Sequence, residues 1–344
     1  MAAKRTNPSN KGRLTIHDVA AAAGVSKSTV SRILDERLPR SDSKTARRVR
    51  QAALELGYVR DISATSLRRG RTSTVGVLVP RLTNAIMAMI YEALARACQK
   101  VGQFAIVTTT DNDPEATMRA VATLLSRGVD GLVLANVRDS NMVTRELKLK
   151  GVPYVFAITT DRHGPASTGD DELGGYLVAR HLLDLGHHKI GMIAGQAYAS
   201  TAVDRQRGFR KAMAEAGIKV NERWIVTSGH ESDDGMEAAA KLFSQAERPT
   251  AVFAVNDMLA IGAMSHLASV GMSVPDDVSI VGYNDIPTAR HLLPPLTTVR
   301  VPFDQIAASA IELLNSSTAE DSDRTRIATP TLIPRRSAAR YVEK

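Results

Sequence analysis

The chain has 344 residues, of which 44% are hydrophobic and 23% charged, with a net charge of +8 and a single cysteine. That balance fits a folded globular protein of more than one domain and argues against a disordered or fibrous chain. One cysteine forms no internal disulfide, no 18-residue apolar run is present, and no signal-peptide pattern precedes Lys11, so a reducing cytoplasm is expected and a membrane or secreted location is not.

Charge is distributed unevenly. Residues 1–71 hold 16 Lys/Arg and 6 Asp/Glu, whereas the remainder holds 28 and 30, so the entire positive excess lies at one end. A basic block of this kind matches a phosphate backbone. Within it, Thr15 to Asp18 reads as a capping box, and Ile16, Val19, Ala20 and Ala23 recur at helical spacing. Gly24 supplies a tight exit, Ser26 a second N-cap, and Val30, Ile33 and Leu34 the buried stripe of a second helix. Two short helices about a glycine turn form a helix-turn-helix, whose second helix enters the major groove.

That geometry assigns Lys27, Ser28 and Thr29 to base edges or flanking phosphates, with Arg32 one turn further on. Lys27 or Arg32 can donate to guanine, a contact worth roughly 1–3 kcal/mol of discrimination. Ser26, Thr29 and Ser31 suit phosphates, and Thr15 and His17 complete the expected DNA-facing set. Ser26 as a simple cap and Lys27 as a solvated charge remain the plain alternatives. A third helix is expected over about Ser43–Leu56, ending at Gly57, with Arg47, Arg48 and Arg50 outward.

From Thr74 onward short apolar runs alternate with amphipathic stretches. Strands are expected at Val75–Pro80, Phe104–Thr109, Gly131–Leu134, Tyr154–Ile158, Ile190–Ala194, Ala251–Val255 and Val278–Gly282. Helices are expected at 85–101, 114–127, 172–186, 203–217, 233–246, 257–270 and 304–315, the second opened by Asp113-Pro114. This alternation implies βαβ units and a doubly wound α/β body.

The strings LTIHDVAAAAGVSKSTVSRIL, SKTARRVRQAALELGYV and ATSLRRGRTSTVGVLVP, in this order, resemble the lac/galactose repressor family of bacterial transcription regulators. The match runs to about Ser337. The resemblance implies a basic tail at 1–12, a helix-turn-helix domain at 13–60, and a hinge helix and linker at 61–72. It implies a two-lobed periplasmic-binding-protein-like body at 73–337, with lobes at about 73–160 plus 302–330 and about 161–301, then a tail at 338–344. Ala64, Leu67 and Arg68 would serve the minor groove, Leu67 as a wedge folding only on DNA, against the alternative of a plain linker.

The body strings DRQRGF, VNDMLAIGAM and VGYNDI match the family's effector positions. The resemblance assigns Arg205, Asn256, Asp257, Asn284 and Asp170 to the ligand, with Asn84 and the segment after Pro80; Asp257 is equally placed to be a helix cap. Arg81, Ile158 and Asn284 depart from the sugar-binding members, where acidic residues are usual, and Arg81 with Arg205 suggests an acidic or less hydroxylated effector. Arg60-Asp61 and the loop around Arg40–Ser43 depart as well.

The implied function is a DNA-binding transcriptional regulator, a repressor of carbon-metabolism genes, controlled by a small-molecule effector. Its implied partners are a near-palindromic operator, a sugar or related metabolite, and a second copy of the chain meeting through helix 85–101 and the region 230–285. The closing SAARYVEK carries no leucine heptad, so a tail-mediated tetramer is not expected. An exported sugar-binding protein shares the body fold but carries no DNA-reading head. An enzyme is not expected: no GxGxxG follows the first body strand, no GxxxxGK[ST] occurs, and His187-His188 lack a third metal ligand, so neither cofactor nor metal is assigned.

Overall fold

The computed structural model describes residues 14–35, 39–58, 71–135, 140–316 and 325–343. They divide into two compact units on either side of the Thr72–Ser73 bond. The first is helical: α1 (Ile16–Ala23), α2 (Lys27–Ile33) and α3 (Lys44–Glu55). Thr15 N and Oγ1 both donate to Asp18 Oδ2, at 2.7 and 2.8 Å, closing the capping box. Gly24 ends α1 in the left-handed region at φ 61°, where any other residue would carry a Cβ penalty. Val19, Ala20, Ala23 and Val30 pack on Val49, Ala52 and Ala53 of α3, so the three helices share one small core.

The second unit is α/β. Its first lobe holds β1 (Thr74–Val79), α4 (Ala85–Lys100), β2 (Phe104–Thr109), α5 (Pro114–Ser126), β3 (Gly131–Ala135), α6 (Ser140–Leu149), β4 (Tyr154–Ala157) and β5 (Ala166–Gly169). The second lobe begins with α7 (Asp171–Asp184), β6 (Ile190–Ala194), α8 (Ser200–Glu215) and β7 (Ile225–Thr227). It continues through α9 (Ser232–Phe243), β8 (Ala251–Ala254), α10 (Asp257–Ser269) and β9 (Ser279–Val281). After β10 (Thr298–Arg300) come α11 (Phe303–Asn315), β11 (Thr325–Ala328) and β12 (Thr331–Ile333).

The first sheet has the order β11-β5-β4-β3-β1-β2 and the second β7-β6-β8-β9, with every pairing parallel. β10 and β12 form a separate antiparallel pair. The chain therefore passes between the lobes at 169–171, 300–303 and 328–331. Parallel strands buried on both faces read as unbroken apolar runs, and β3, β6 and β8 are buried along their whole length.

Two lobe boundaries differ from the sequence expectation. β5 pairs with β4, so the first lobe continues to Gly169 rather than 160; ASTG is too short and polar to announce a strand. The tail expected after 337 also belongs to the second lobe. Ser337 Oγ donates to Ile280 O at 2.6 Å, His187 reaches Ala339 O at 3.0 Å, and Tyr341 N donates to Leu185 O at 2.8 Å.

Candidate DNA-reading helix and ligand cleft

In α2, Ser26 caps the helix by accepting from Thr29 N at 3.2 Å, with Ser28 Oγ and Thr29 Oγ1 at 2.8 and 2.9 Å. Val30 is buried, Lys27, Ser28 and Arg32 are exposed, and Thr29 and Ser31 are half-buried. The apolar stripe that seats α2 on α3 leaves the basic and hydroxyl side chains outward together. Thr15 and His17 are exposed at the start of α1. Ala64, Leu67 and Arg68 lie outside the described residues.

In the body, a cleft of about 280 Å³ opens where the strands of both lobes end, the position at which open α/β sheets bind ligands. The first lobe contributes Pro80 and Arg81 after β1, Asp111 and Asn112 after β2, and Ile158 and Thr159 after β4. The second contributes Arg205 of α8, His230 and Glu231 ahead of α9, Asn256 after β8 and Asn284 after β9. Val301 and Phe303 close one end from the crossover into α11.

Arg205 is the most constrained cation. Its Nε donates to Asp171 Oδ1 at 2.7 Å and its Nη1 to Val255 O at 2.6 Å, while its guanidinium lies 3.7 Å from the centroid of the Tyr283 ring. Burial opposes its charge, but Asp171 and Tyr283 together more than offset that and raise its pKa. The approach of α7 to α8 that makes this pair depends on glycine. A Cβ on Gly175 would run into the Arg205 carbonyl, and one on Gly208 into the Glu172 carbonyl.

Arg81 is used differently. It sits on the rim, half-exposed, with Nε on Asp111 Oδ1 at 2.7 Å. Asn84 caps α4 through Ile86 N at 3.1 Å and sends Nδ2 to Glu231 Oε1 at 3.1 Å. Two further bonds span the lobes: Thr160 N to Ser200 Oγ at 3.1 Å and Arg162 Nη2 to Asp204 Oδ1 at 2.6 Å. Asn256 caps α10 through Leu259 N at 2.8 Å and also lines the cleft.

Two expected ligand residues are elsewhere. Asp170 caps α7, accepting from Leu173 N at 2.9 Å, and its neighbour Asp171 faces the cleft instead. One residue turns a helix by about 100°, and DDE does not say which acid points inward. Asp257 is neither ligand-facing nor the cap. It is fully buried and accepts from Thr298 Oγ1 at 2.5 Å and Ile286 N at 2.8 Å, and burial pushes its carboxyl up to about 7.

Several lining residues are strained. Ile158 has φ 62° and Asn284 φ 108°. For a β-branched residue the left-handed region costs about 1–2 kcal/mol, and such costs concentrate at functional sites. Asn284 Oδ1, Asn112 Oδ1 and His230 Nε2 are buried without a hydrogen-bond partner. Burial also holds the His230 pKa below its usual value. The sequence reading missed Asp111, Asn112, Asp171, His230 and Glu231. Asp171 is the first residue of α7, and the other four lie in short connections with no periodicity to mark them.

A helix-turn-helix unit followed by a two-lobed α/β body with a ligand cleft defines a ligand-responsive DNA-binding regulator. Residues 15–61 match bacterial regulatory proteins of the lacI family and residues 179–338 a periplasmic binding protein-like domain. The chain is 33% identical to the HTH-type transcriptional repressor PurR of Photobacterium profundum, over 94% of this chain and 98% of that one. It is 34% identical to the ribose operon repressor of Haemophilus influenzae, with the same two coverages. Among solved structures, the lac repressor dimer bound to operator and the anti-inducer ONPF aligns with a TM-score of 0.82 at 27% identity, covering 95% of this chain and all of that one. The transcriptional regulator CelR–cellobiose complex aligns at 0.71 and 28%, with the same coverage. The chain belongs to the lacI family of bacterial regulatory proteins. It is a transcriptional regulator and not an enzyme, and among the described residues no helix is long and apolar enough to cross a membrane.

Proposed function

We propose that the chain is a cytoplasmic homodimeric repressor that holds a near-palindromic operator and is switched by a small metabolite bound between its lobes. The buried, unpartnered side-chain carbonyl of Asn284, in a cleft spanned by inter-lobe bonds, is the observation that carries the ligand site. Thr15, His17, Ser26, Lys27, Ser28, Thr29, Ser31 and Arg32 face DNA, and Ala64, Leu67 and Arg68 serve the hinge. Arg81, Asn84, Ile158, Arg205, Asn256 and Asn284 face the effector. Relatives that repress a ribose operon or bind cellobiose support carbon-metabolism genes as targets.

The mechanism is a population shift: effector bound in the cleft changes how the lobes sit, and with it whether two hinges pair on DNA. Couplings of this kind are typically about 1–3 kcal/mol, or 5–150-fold in affinity. Selection of bound DNA fragments by the full chain, repeated with candidate metabolites, tests the proposal. An enriched palindrome whose retention changes with one metabolite is expected; no sequence enrichment refutes it.

A further inference from the structure

We infer that the strand-start end of the first lobe is a second DNA-contacting surface, on which Lys100, Arg127, Arg145 and Lys148 meet backbone phosphates near the operator centre. The body would then grip DNA alongside the head. The inference rests on the DNA-binding and hinge readings and adds a contact to them.

The sheet topology gathers these four residues. All strands of the first sheet are parallel, so the connections leading into them emerge at one end. Thr74 lies beside Phe104, Val75 beside Gly131 and Leu132 beside Tyr154, so β1 to β4 start nearly level. Lys100 closes α4 ahead of β2, Arg127 ends α5 ahead of β3, and Arg145 and Lys148 lie in the last turns of α6 ahead of β4. All four are exposed. The strands β2, β1, β3 and β4 are neighbours in that order. At about 4.8 Å per strand the cations spread over about 15 Å, the axial length of some four or five base pairs.

Their charge is uncommitted. Other arginines of the body are taken up by carboxylates: Arg81 by Asp111, Arg96 by Asp304, Arg119 by Glu115, Arg162 by Asp204 and Arg210 by Glu222. Lys100, Arg127, Arg145 and Lys148 have no carboxylate partner among the described residues. The one ion pair at this end is Lys150 with Glu146, at 2.9 Å. Helix C-termini favour cations on their own account, which explains one for each helix. It leaves the second cation of α6 unexplained, in a body whose acids outnumber its bases.

Connectivity selects the partner. β1 is the first strand of the body, so this is the end at which the chain arrives from the DNA-reading unit. With Leu67 in the minor groove, Ser73 follows six residues later, at most about 22 Å of fully extended chain. The strand-start end is thereby tethered over the duplex, where free cations meet a dense row of phosphates. Such contacts carry no sequence information, so they add affinity without altering the operator read by α2.

The test compares the full chain with a variant carrying Lys100→Gln, Arg127→Gln, Arg145→Gln and Lys148→Gln. A control variant makes the same charge change on the second lobe, with Lys211→Gln, Lys219→Gln, Lys241→Gln and Arg248→Gln. Operator affinity is measured by anisotropy from 50 to 200 mM salt, and contacted phosphates are mapped by ethylation interference. The strand-start variant should melt with the parent and select the same sequence. Its salt slope should fall by about 2, so that the affinity advantage of 50 mM over 200 mM salt shrinks about tenfold. Interference at phosphates near the operator centre should be lost with it, while the control keeps the parent slope and map. A parent-like slope and map in the strand-start variant overturn the inference and return these cations to a solvated face or to an acidic protein partner. Equal falls in both variants overturn it too, since net charge alone would account for them. If the parent selects no operator, or Leu67→Ala binds it as the parent does, the underlying reading fails and the inference with it.

Discussion

Asn84 Nδ2 donates to Glu231 Oε1 at 3.1 Å, joining the first turn of α4 in one lobe to the start of α9 in the other. Both residues line the cleft, so one of the bonds that link the lobes is made by side chains of the cleft wall. Asn84→Ala removes it and the α4 cap together, whereas Glu231→Gln keeps the shape and drops the charge. A hydrogen bond to a charged group contributes about 1.5–3 kcal/mol. Both variants should widen the lobe separation seen by solution scattering without ligand, Asn84→Ala the more. An unchanged scattering profile in both would show that the other inter-lobe contacts suffice.

Gly208→Ala tests the packing that seats Arg205. The extra methyl must displace the Glu172 carbonyl, and overpacking of this kind costs about 1–3 kcal/mol. The better helix propensity of alanine returns roughly 1 kcal/mol. A net loss of up to about 2 kcal/mol is expected in urea denaturation, with weakened ligand binding because α7 and α8 move apart. A stabilised variant would mean that the helices adjust freely.

Asp257 makes stability depend on pH. Its carboxyl titrates at about 7 in the folded chain against an ordinary value of 3.8, because burial disfavours the charge. The folded state thus keeps this proton to higher pH than the unfolded chain. Its contribution is complete below about pH 4 and is lost as pH rises toward 7. Asp257→Asn removes that decline while giving up one bond, to Thr298 or Ile286. Denaturation at pH 5 and pH 8 should show parent stability falling, relative to the variant, between the two; parallel behaviour would put the group's titration elsewhere.

Leu67→Ala and Lys27→Ala separate wedge from reader. Leu67→Ala should weaken binding to the selected operator while leaving effector affinity unchanged, since unstacking a base step needs an apolar wedge. Lys27→Ala should either relax preference at one base pair or lower the salt slope by about 1, according to whether it meets a base or a phosphate. Anisotropy at matched salt reads both. Equal operator affinity in Leu67→Ala would return 61–72 to a plain linker.

The fold was legible wherever burial imposed a period. Runs such as Gly131–Ala135 and Ile190–Ala194 announced buried strands because both faces are covered, and Thr15, Ser26 and Asp113 announced helix starts through cap chemistry that acts within three residues. Short polar strands such as β5 carried no such signal. In the site, Arg205, Asn256 and Asn284 could be placed from the strings around them. The use of Arg205 could not, because Asp171 lies 34 positions away and only the crossing of α7 and α8 brings them together. The partner of Arg81 was hidden for the same reason: Asp111 is 30 positions on.

β11, the outer neighbour of β5 in the first sheet, comes from residues 325–328, after every strand of the second lobe's sheet has been laid down. During synthesis β5 therefore waits with an open edge while some 150 further residues emerge, and an open edge invites pairing with other chains. A ribosome that stalls anywhere in the second lobe would release a nascent chain whose first lobe is still unsealed. The brief, polar strand ASTG at that edge is thus suited to its place, since it offers little to a stranger before its own partner arrives.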